Sequence, residues 1–216
     1  MYFLVYVDDI LVTGNDNDLI TKVVQDLNSQ FALKIMGLMH YFLGFEVKRN
    51  GSSLLLTQTK FAQELLEKAR MEDCNPCLTP MAVGTKLNKD DRELFEQPTL
   101  YRSIIGGLQY LTLSRPDLAF TINKLSQLLQ SPTLAHWTAC KHVLQYVKGT
   151  LHHGLIFKRN SHFRLEAYAD TNWASDINDR RSTSGYAIFL GDNLVQCSSK
   201  KQKVVSLSST EYRALS

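Results

Sequence analysis

Two adjacent carboxylates, Asp8 and Asp9, sit in the stretch "VYVDDILVTG" at residues 5–14, between runs of β-branched and aromatic residues. Like charges held this close repel each other, and a divalent cation can neutralise them. Carboxylates that share two metal ions clamp the attacking and leaving oxygens of a phosphoryl transfer. The same dipeptide also suits a solvated hairpin turn, because Asp is a favoured turn residue. The residues by themselves leave both readings open. Other candidate ligands are less well supplied. Cys74 and Cys77 have the C-x-x-C spacing of half a zinc site, but no second pair accompanies them, so they read as free thiols in a turn around Pro76. His152 and His153 have no carboxylate or cysteine at ligand spacing and read as a surface junction. No nucleophile-elbow pattern occurs, so a hydrolase triad has no support.

The elements that must hold the aspartates are legible from periodicity. "YFLVYV" at 2–7 and "ILVT" at 10–13 read as two strands, which puts Asp8 and Asp9 in a tight hairpin. Asp16 or Asp18 can then cap a helix carrying the apolar stripe Ile20, Val23, Val24, Leu27 and Phe31. Residues 41–48 and 53–57 read as strands around the hairpin signal Asn50-Gly51, followed by a helix at about 58–71. The polar stretch 84–98 reads as a linker. Residues 98–149 read as all-helical, with Pro98, Pro116 and Pro132 each placed for a first turn, Asp117 favourable near a helix start, and Gly149 suited to a C-terminal cap. After residue 153 the period becomes alternating, giving four strand candidates and a last helix from about Ser208. The fold class is therefore α+β.

The composition is that of an ordinary globular chain: 216 residues, 44% hydrophobic, 21% charged, net charge +3. That weak positive charge permits nucleic-acid binding without arguing for it. The four cysteines imply no disulfide framework, so a reducing compartment is the default. The apolar start is interrupted by Asp8 and Asp9, unlike a secretory signal, and no apolar run approaches membrane-spanning length. Basic residues alternate with aromatics on the helical segment at Arg102, Lys124, Trp137, Lys141, His142, Tyr146 and Lys148. Such a face either meets phosphates or belongs to a bundle with Trp137 and Tyr146 in its core. Lys200, Lys201 and Lys203 read as a solvated edge.

Tyr6-Val7-Asp8-Asp9 resembles the YxDD hairpin of reverse transcriptases. Longer segments agree in order and spacing with the Pol polyprotein of copia-type (Ty1/copia) retrotransposons: "YVDDILVTG", "MGLMHYFLGFEV", "LTQTKFAQELL", "YRSIIGGLQYLTLSRPDLAF", "HVLQYVKGT", "YADTNWASDINDRRSTSGYAIFLG" and "SSKKQKVVSLSSTEYRAL". The resemblance covers essentially the whole chain. It extends to short copia-derived plant reading frames, some named as uncharacterised mitochondrial proteins. The compartment stays open, with the mitochondrion entering only through that likeness.

The resemblance implies the C-terminal part of a reverse-transcriptase palm with the start of the thumb at 1–83, thumb and connection helices at 84–153, and a truncated RNase H-like domain at 154–216. It makes Asp8 and Asp9 ligands of catalytic Mg²⁺ and implies that the hairpin around Gly44 grips a primer terminus. Asp170, ending "LEAYAD", matches the first metal-binding carboxylate of the RNase H fold. Glu211 matches a glutamate on its first helix. Where the family reads S-T-E-A-E-Y, this chain has Ser209-Thr210-Glu211-Tyr212, two residues shorter, so Glu211 stands for either family glutamate. The implied partner is an RNA/DNA template–primer duplex, met by Arg102, Lys141 and Lys148, with no membrane involved. The third palm carboxylate belongs to a motif upstream of Asp8, and the other RNase H carboxylates fall beyond Ser216. The expectation is thus a fragment of an RNA-directed DNA polymerase/ribonuclease H without independent catalysis. The alternatives are a non-catalytic nucleic-acid-binding fragment, a partner for the remaining part of Pol, or a frame inside a longer element. Open sheet edges predict poor solubility, with 98–149 the most autonomous part.

Overall fold

A computed structural model describes residues 1–82, 84, 85, 87–89, 93–160, 162–172 and 178–203. The chain divides into two compact units, Met1–Val47 and Lys48–Ser216.

The first unit opens with strands β1 (Tyr2–Tyr6) and β2 (Asp9–Thr13), antiparallel in unbroken register from Tyr2↔Thr13 to Tyr6↔Asp9. Helix α1 (Asn17–Phe31) follows. Of the two capping residues the sequence offers, Asp16 is used: its Oδ1 accepts the backbone N–H groups of Asp18 at 3.1 Å and Leu19 at 3.0 Å. Over 41–48, read by periodicity as strand and by the resemblance as a hairpin around Gly44, the chain folds on itself. Strands β3 (Tyr41–Phe42) and β4 (Phe45–Asn50) pair antiparallel across a two-residue turn, Leu43-Gly44. Both turn residues have positive φ, +49° and +76°, the requirement of a type I′ hairpin turn. Gly44 meets it without strain. Among the described residues of this unit only Val47 is buried. The apolar residues of β1 are 48–77% exposed.

The second unit contains the hydrophobic core. Strand β5 (Ser53–Thr57) leads into α2 (Thr59–Lys68), and α3 (Pro98–Leu111), α4 (Ala119–Ser126) and α5 (Leu134–Gly149) complete a helical cluster. Leu66, Tyr101, Ile105, Leu108, Leu125 and Leu144 lie at its centre, each at most 2% exposed. Helices α2 and α3 touch closely at Gly107, where a Cβ would overlap the Leu65 side chain. The prolines divide in their roles. Pro98 is the first residue of α3, and Pro116 opens a single 3-10 turn, Pro116–Leu118, that runs into α4. Pro132 stands before the cap of α5 rather than in its first turn. Thr133 is that cap, accepting the His136 backbone N–H at 3.3 Å while His136 Nδ1 accepts the Thr133 N–H at 3.0 Å. This reciprocal pair is a capping box with His in the position where Glu or Gln is usual. Gly149 is the last residue of α5 and Thr150 its cap; a Cβ at Gly149 would meet Pro76 at 2.9 Å. Close chain approach, not a left-handed cap, is what requires glycine there.

Strand β6 (Leu155–Lys158) pairs with β5, from Ser53↔Lys158 to Leu56↔Leu155, and is not part of the sheet that follows. Strands β7 (Leu165–Asn172), β8 (Thr183–Leu190) and β9 (Asn193–Lys201) form a separate three-stranded antiparallel sheet. The helix expected from Ser208 lies outside the described residues. No helix among the described residues is long and apolar enough to cross a membrane.

Candidate metal and nucleic-acid sites

Asp8 lies in the turn between β1 and β2, and Asp9 is the first residue of β2, paired with Tyr6. Both are exposed. The turn is made by Val7 and Asp8, and Val7 has φ +50°. A β-branched residue in the left-handed region is a genuine outlier, at a cost on the order of 1–2 kcal/mol. Burial does not compensate it, since Val7 is 79% exposed. Strain of this kind concentrates at functional sites. Its local effect is a tight reversal that fixes two hard oxygen donors on neighbouring residues, the donor type that suits Mg²⁺. Among the described residues, no group of three or more His, Cys, Asp or Glu side chains is placed to hold a metal. The pair has the donor chemistry that suits Mg²⁺, and no third ligand joins it among the described residues. Gly44, in the β3–β4 turn, is partly buried.

Asp170 stands near the end of β7, opposite Gly185 of β8, and is exposed. Its Oδ1 accepts the Thr171 backbone N–H at 2.8 Å. Glu211 lies outside the described residues.

The three basic candidates differ in surroundings. Arg102 is exposed, yet its guanidinium is engaged: Nε donates to the Leu129 carbonyl at 2.8 Å and Nη2 to that of Gln130 at 3.1 Å. It ties α3 to the segment that follows α4. Lys141 is exposed and Lys148 partly so. Seven residues apart on α5, they share one face. Of the aromatics interleaved with them, Trp137 lies in the core, 8% exposed and stacked on Phe95 with ring centroids 4.8 Å apart. Tyr146 is only partly buried, packed against the core with its hydroxyl donating to Asp117 Oδ2 at 2.9 Å.

One polar network was not visible in the sequence pattern. Arg115, 3% exposed, grips Asp117 with Nε–Oδ1 at 3.0 Å and Nη2–Oδ2 at 2.7 Å. It also donates to the Thr150 carbonyl at 2.9 Å and hydroxyl at 2.8 Å, and lies 5.5 Å from the Tyr146 ring centroid. Partial burial pushes the Asp117 carboxyl up, but the Arg115 hydrogen bonds and charge, with the Tyr146 hydroxyl, hold it below the usual carboxylate range. The signal available in the sequence was "SRPD", an Arg and an Asp bracketing a helix-starting proline. Cys77 donates weakly to the Thr79 and His142 carbonyls at 3.3 and 3.4 Å, with its Sγ 3.7 Å from His142 Nε2. All four cysteines are free thiols.

The reverse transcriptase (RNA-dependent DNA polymerase) family matches residues 1–83. Over 217 residues the chain is 45% identical to the Retrovirus-related Pol polyprotein from transposon RE2 of Arabidopsis thaliana, the match taking in 100% of this chain and 15% of that protein. Identity is 35% over 219 residues to the corresponding polyprotein from transposon TNT 1-94 of Nicotiana tabacum, covering 96% of this chain and 16% of that one. The chain belongs to the copia-type retrotransposon Pol family. A relative of similar size also exists: an uncharacterized mitochondrial protein of Arabidopsis thaliana is 46% identical over 218 residues, covering 100% of this chain and 90% of that protein. No solved structure matches the chain. Within the copia-type Pol frame, the reverse-transcriptase match takes in Asp8, Asp9 and the Gly44 hairpin and stops short of every other candidate.

Proposed function

We propose that this chain supplies part of an RNA-directed DNA polymerase site, the two-carboxylate turn Asp8-Asp9 together with the Gly44 hairpin, and that further Pol polypeptide completes it. The observation that carries this reading is the strained turn at Val7, which fixes two adjacent carboxylates at the tip of a hairpin inside the reverse-transcriptase match. A further fact supports the need for a partner: residues Tyr2–Tyr6 leave their apolar side chains uncovered. Asp8 and Asp9 would hold Mg²⁺, which when bound neutralises charge on the reacting phosphoryl oxygens. What the chain's own residues do is position: the β1–β2 register fixes the carboxylates, and the β3–β4 turn presents backbone to a primer strand.

On this reading residues 84–153 are thumb and connection helices, with Arg102, Lys141 and Lys148 toward the template–primer duplex. Residues 154–216 begin an RNase H-like domain, with Asp170, on β7, and Glu211 as its candidate carboxylates. The antiparallel β7–β9 sheet, carrying Asp170 on β7, supports that assignment. Primer extension on an RNA template tests the whole. The expected result is no extension by the chain alone, and Mg²⁺-dependent extension when it is co-expressed with the Pol segment that precedes it in the RE2 relative, lost in Asp8→Asn. Extension by the isolated chain that Asp8→Asn abolishes would overturn the need for a partner. Extension indifferent to Asp8→Asn would overturn the site.

A further inference from the structure

Within the second unit a cleft of about 720 Å³ opens between α4, β9 and the residues Asp179 and Arg181 ahead of β8. Among the described residues, five cationic side chains line it, Lys89, Arg181, Lys200, Lys201 and Lys203, against one carboxylate, Asp179. That is a local net of four positive charges in a chain whose total is +3. The run read from sequence as a solvated edge therefore forms one wall of a concave site.

The single carboxylate is committed to holding that wall. Asp179 takes Lys201 Nζ at 2.8 Å and the Arg181 backbone N–H at 3.2 Å, and lies 3.5 Å from Arg181 Nε. Arg181 Nε is itself buried without a hydrogen bond. Lys89, Lys200 and Lys203 have no carboxylate partner among the described residues, so no described carboxylate neutralises this part of the wall. The opposite wall is fastened to β9, because Asn123 of α4 donates its side-chain amide to the Ser199 carbonyl.

Among the described residues, no aromatic side chain lines the cleft, so the described lining offers no platform on which bases could stack. Lysines in series with serine hydroxyls and side-chain amides suit a repeating anion instead. We propose that this cleft binds the phosphodiester backbone of a nucleic-acid strand without reading its bases. It is separate from the Arg102, Lys141 and Lys148 face. It rests on the polymerase reading only for the choice of nucleic acid as the polyanion.

Fluorescence anisotropy of the full chain with a labelled RNA–DNA hybrid, over a salt series, tests this, with inorganic polyphosphate as a base-free competitor. Lys200 and Lys203 are exposed, so Lys200→Ala/Lys203→Ala should melt like the parent. Each lost phosphate contact lowers the slope of log affinity against log salt by about 0.7–0.9, so the double variant should lose about 1.4–1.8. Polyphosphate should compete with the parent, and Lys200→Arg/Lys203→Arg should retain the parent slope. An unchanged slope in the double Ala variant, with a reduced one in Lys141→Ala/Lys148→Ala, would overturn the cleft and leave the polymerase reading standing. Polyphosphate binding that depends on Lys200 and Lys203, without hybrid binding, would overturn nucleic acid as the ligand and count against the polymerase reading. Failure to bind either would overturn both.

Discussion

Replacing Asp117 by Asn isolates one buried charge. Arg115 is 3% exposed and its partner carboxylate 38% exposed. Removing one member of a fully buried ion pair costs about 3–5 kcal/mol, because the other charge is left unpaired. Here three features reduce that. Water already reaches Asp117, Arg115 keeps its two bonds to Thr150, and the Asn side-chain oxygen can still accept one bond. A loss of about 2 kcal/mol follows, which for a domain of this size lowers the melting temperature by about 4–8 °C. The pH dependence gives the reasoning a second check. A carboxyl held below its usual range in the folded state contributes fully above its unfolded pKa of about 3.9 and loses that contribution as pH falls through the folded value. The gap between parent and Asp117→Asn should therefore be constant near neutrality and shrink in acid. Thermal melts followed by circular dichroism over a pH series measure both. A variant that melts with the parent at neutral pH, or a gap that widens in acid, would refute the argument.

Three further outcomes follow from local geometry. Thr133→Ala removes the side-chain half of the α5 capping box and should cost about 1 kcal/mol in urea denaturation, with unchanged stability the contrary result. The adjacent glycines of α3 should respond oppositely. Gly106→Ala has nothing within 4 Å of its new Cβ and should stabilise by about 0.5–1 kcal/mol, whereas Gly107→Ala presses on buried Leu65 and should destabilise by about 1–3 kcal/mol. Equal effects would mean that α2 and α3 pack less closely than described. Val7→Gly relieves the positive φ of the aspartate turn with almost no burial lost; amide exchange across the β1–β2 ladder should slow slightly, and faster exchange would show that Val7 is not strained.

What the sequence made legible follows from how local each feature is. The β1–β2 hairpin, α1 with its acidic cap, and the helical run after Pro98 are governed by short-range periodicity and capping, and they appear within a residue or two of expectation. Periodicity alone ran β3 and β4 together because Leu43 gives no turn signal; the hairpin around Gly44 came from the resemblance. The partnership of β6 with β5 joins residues about a hundred apart, and alternation alone does not say which sheet a strand enters. Asp8 and Asp9 were found by spacing. The Arg115–Asp117–Thr150 network and the Asp179–Lys201 pair were not, because both depend on chain segments that only folding brings together.

The two halves of the candidate site are supported very differently by the rest of the molecule. The helices that would face a duplex are anchored in a core where Tyr101, Ile104, Ile105 and Leu108 are fully buried. The aspartate turn stands on a hairpin whose apolar residues are uncovered, in a unit with one buried residue among those described. A large uncovered apolar surface next to the candidate carboxylates marks an interface more readily than a finished site. An exposed strand of this kind also offers itself for pairing or aggregation. On the proposed function, one polypeptide packed against Tyr2–Tyr6 would both cover β1 and supply further metal ligands. Amide exchange can separate this from a hairpin that is stable by itself. Protection along β1–β2 should be near that of an isolated hairpin in the free chain and should rise sharply on co-expression with the preceding Pol segment, while α3 and α5 stay unchanged. Protection of β1–β2 equal to that of α3 in the free chain would mean that no partner is needed to order the aspartates.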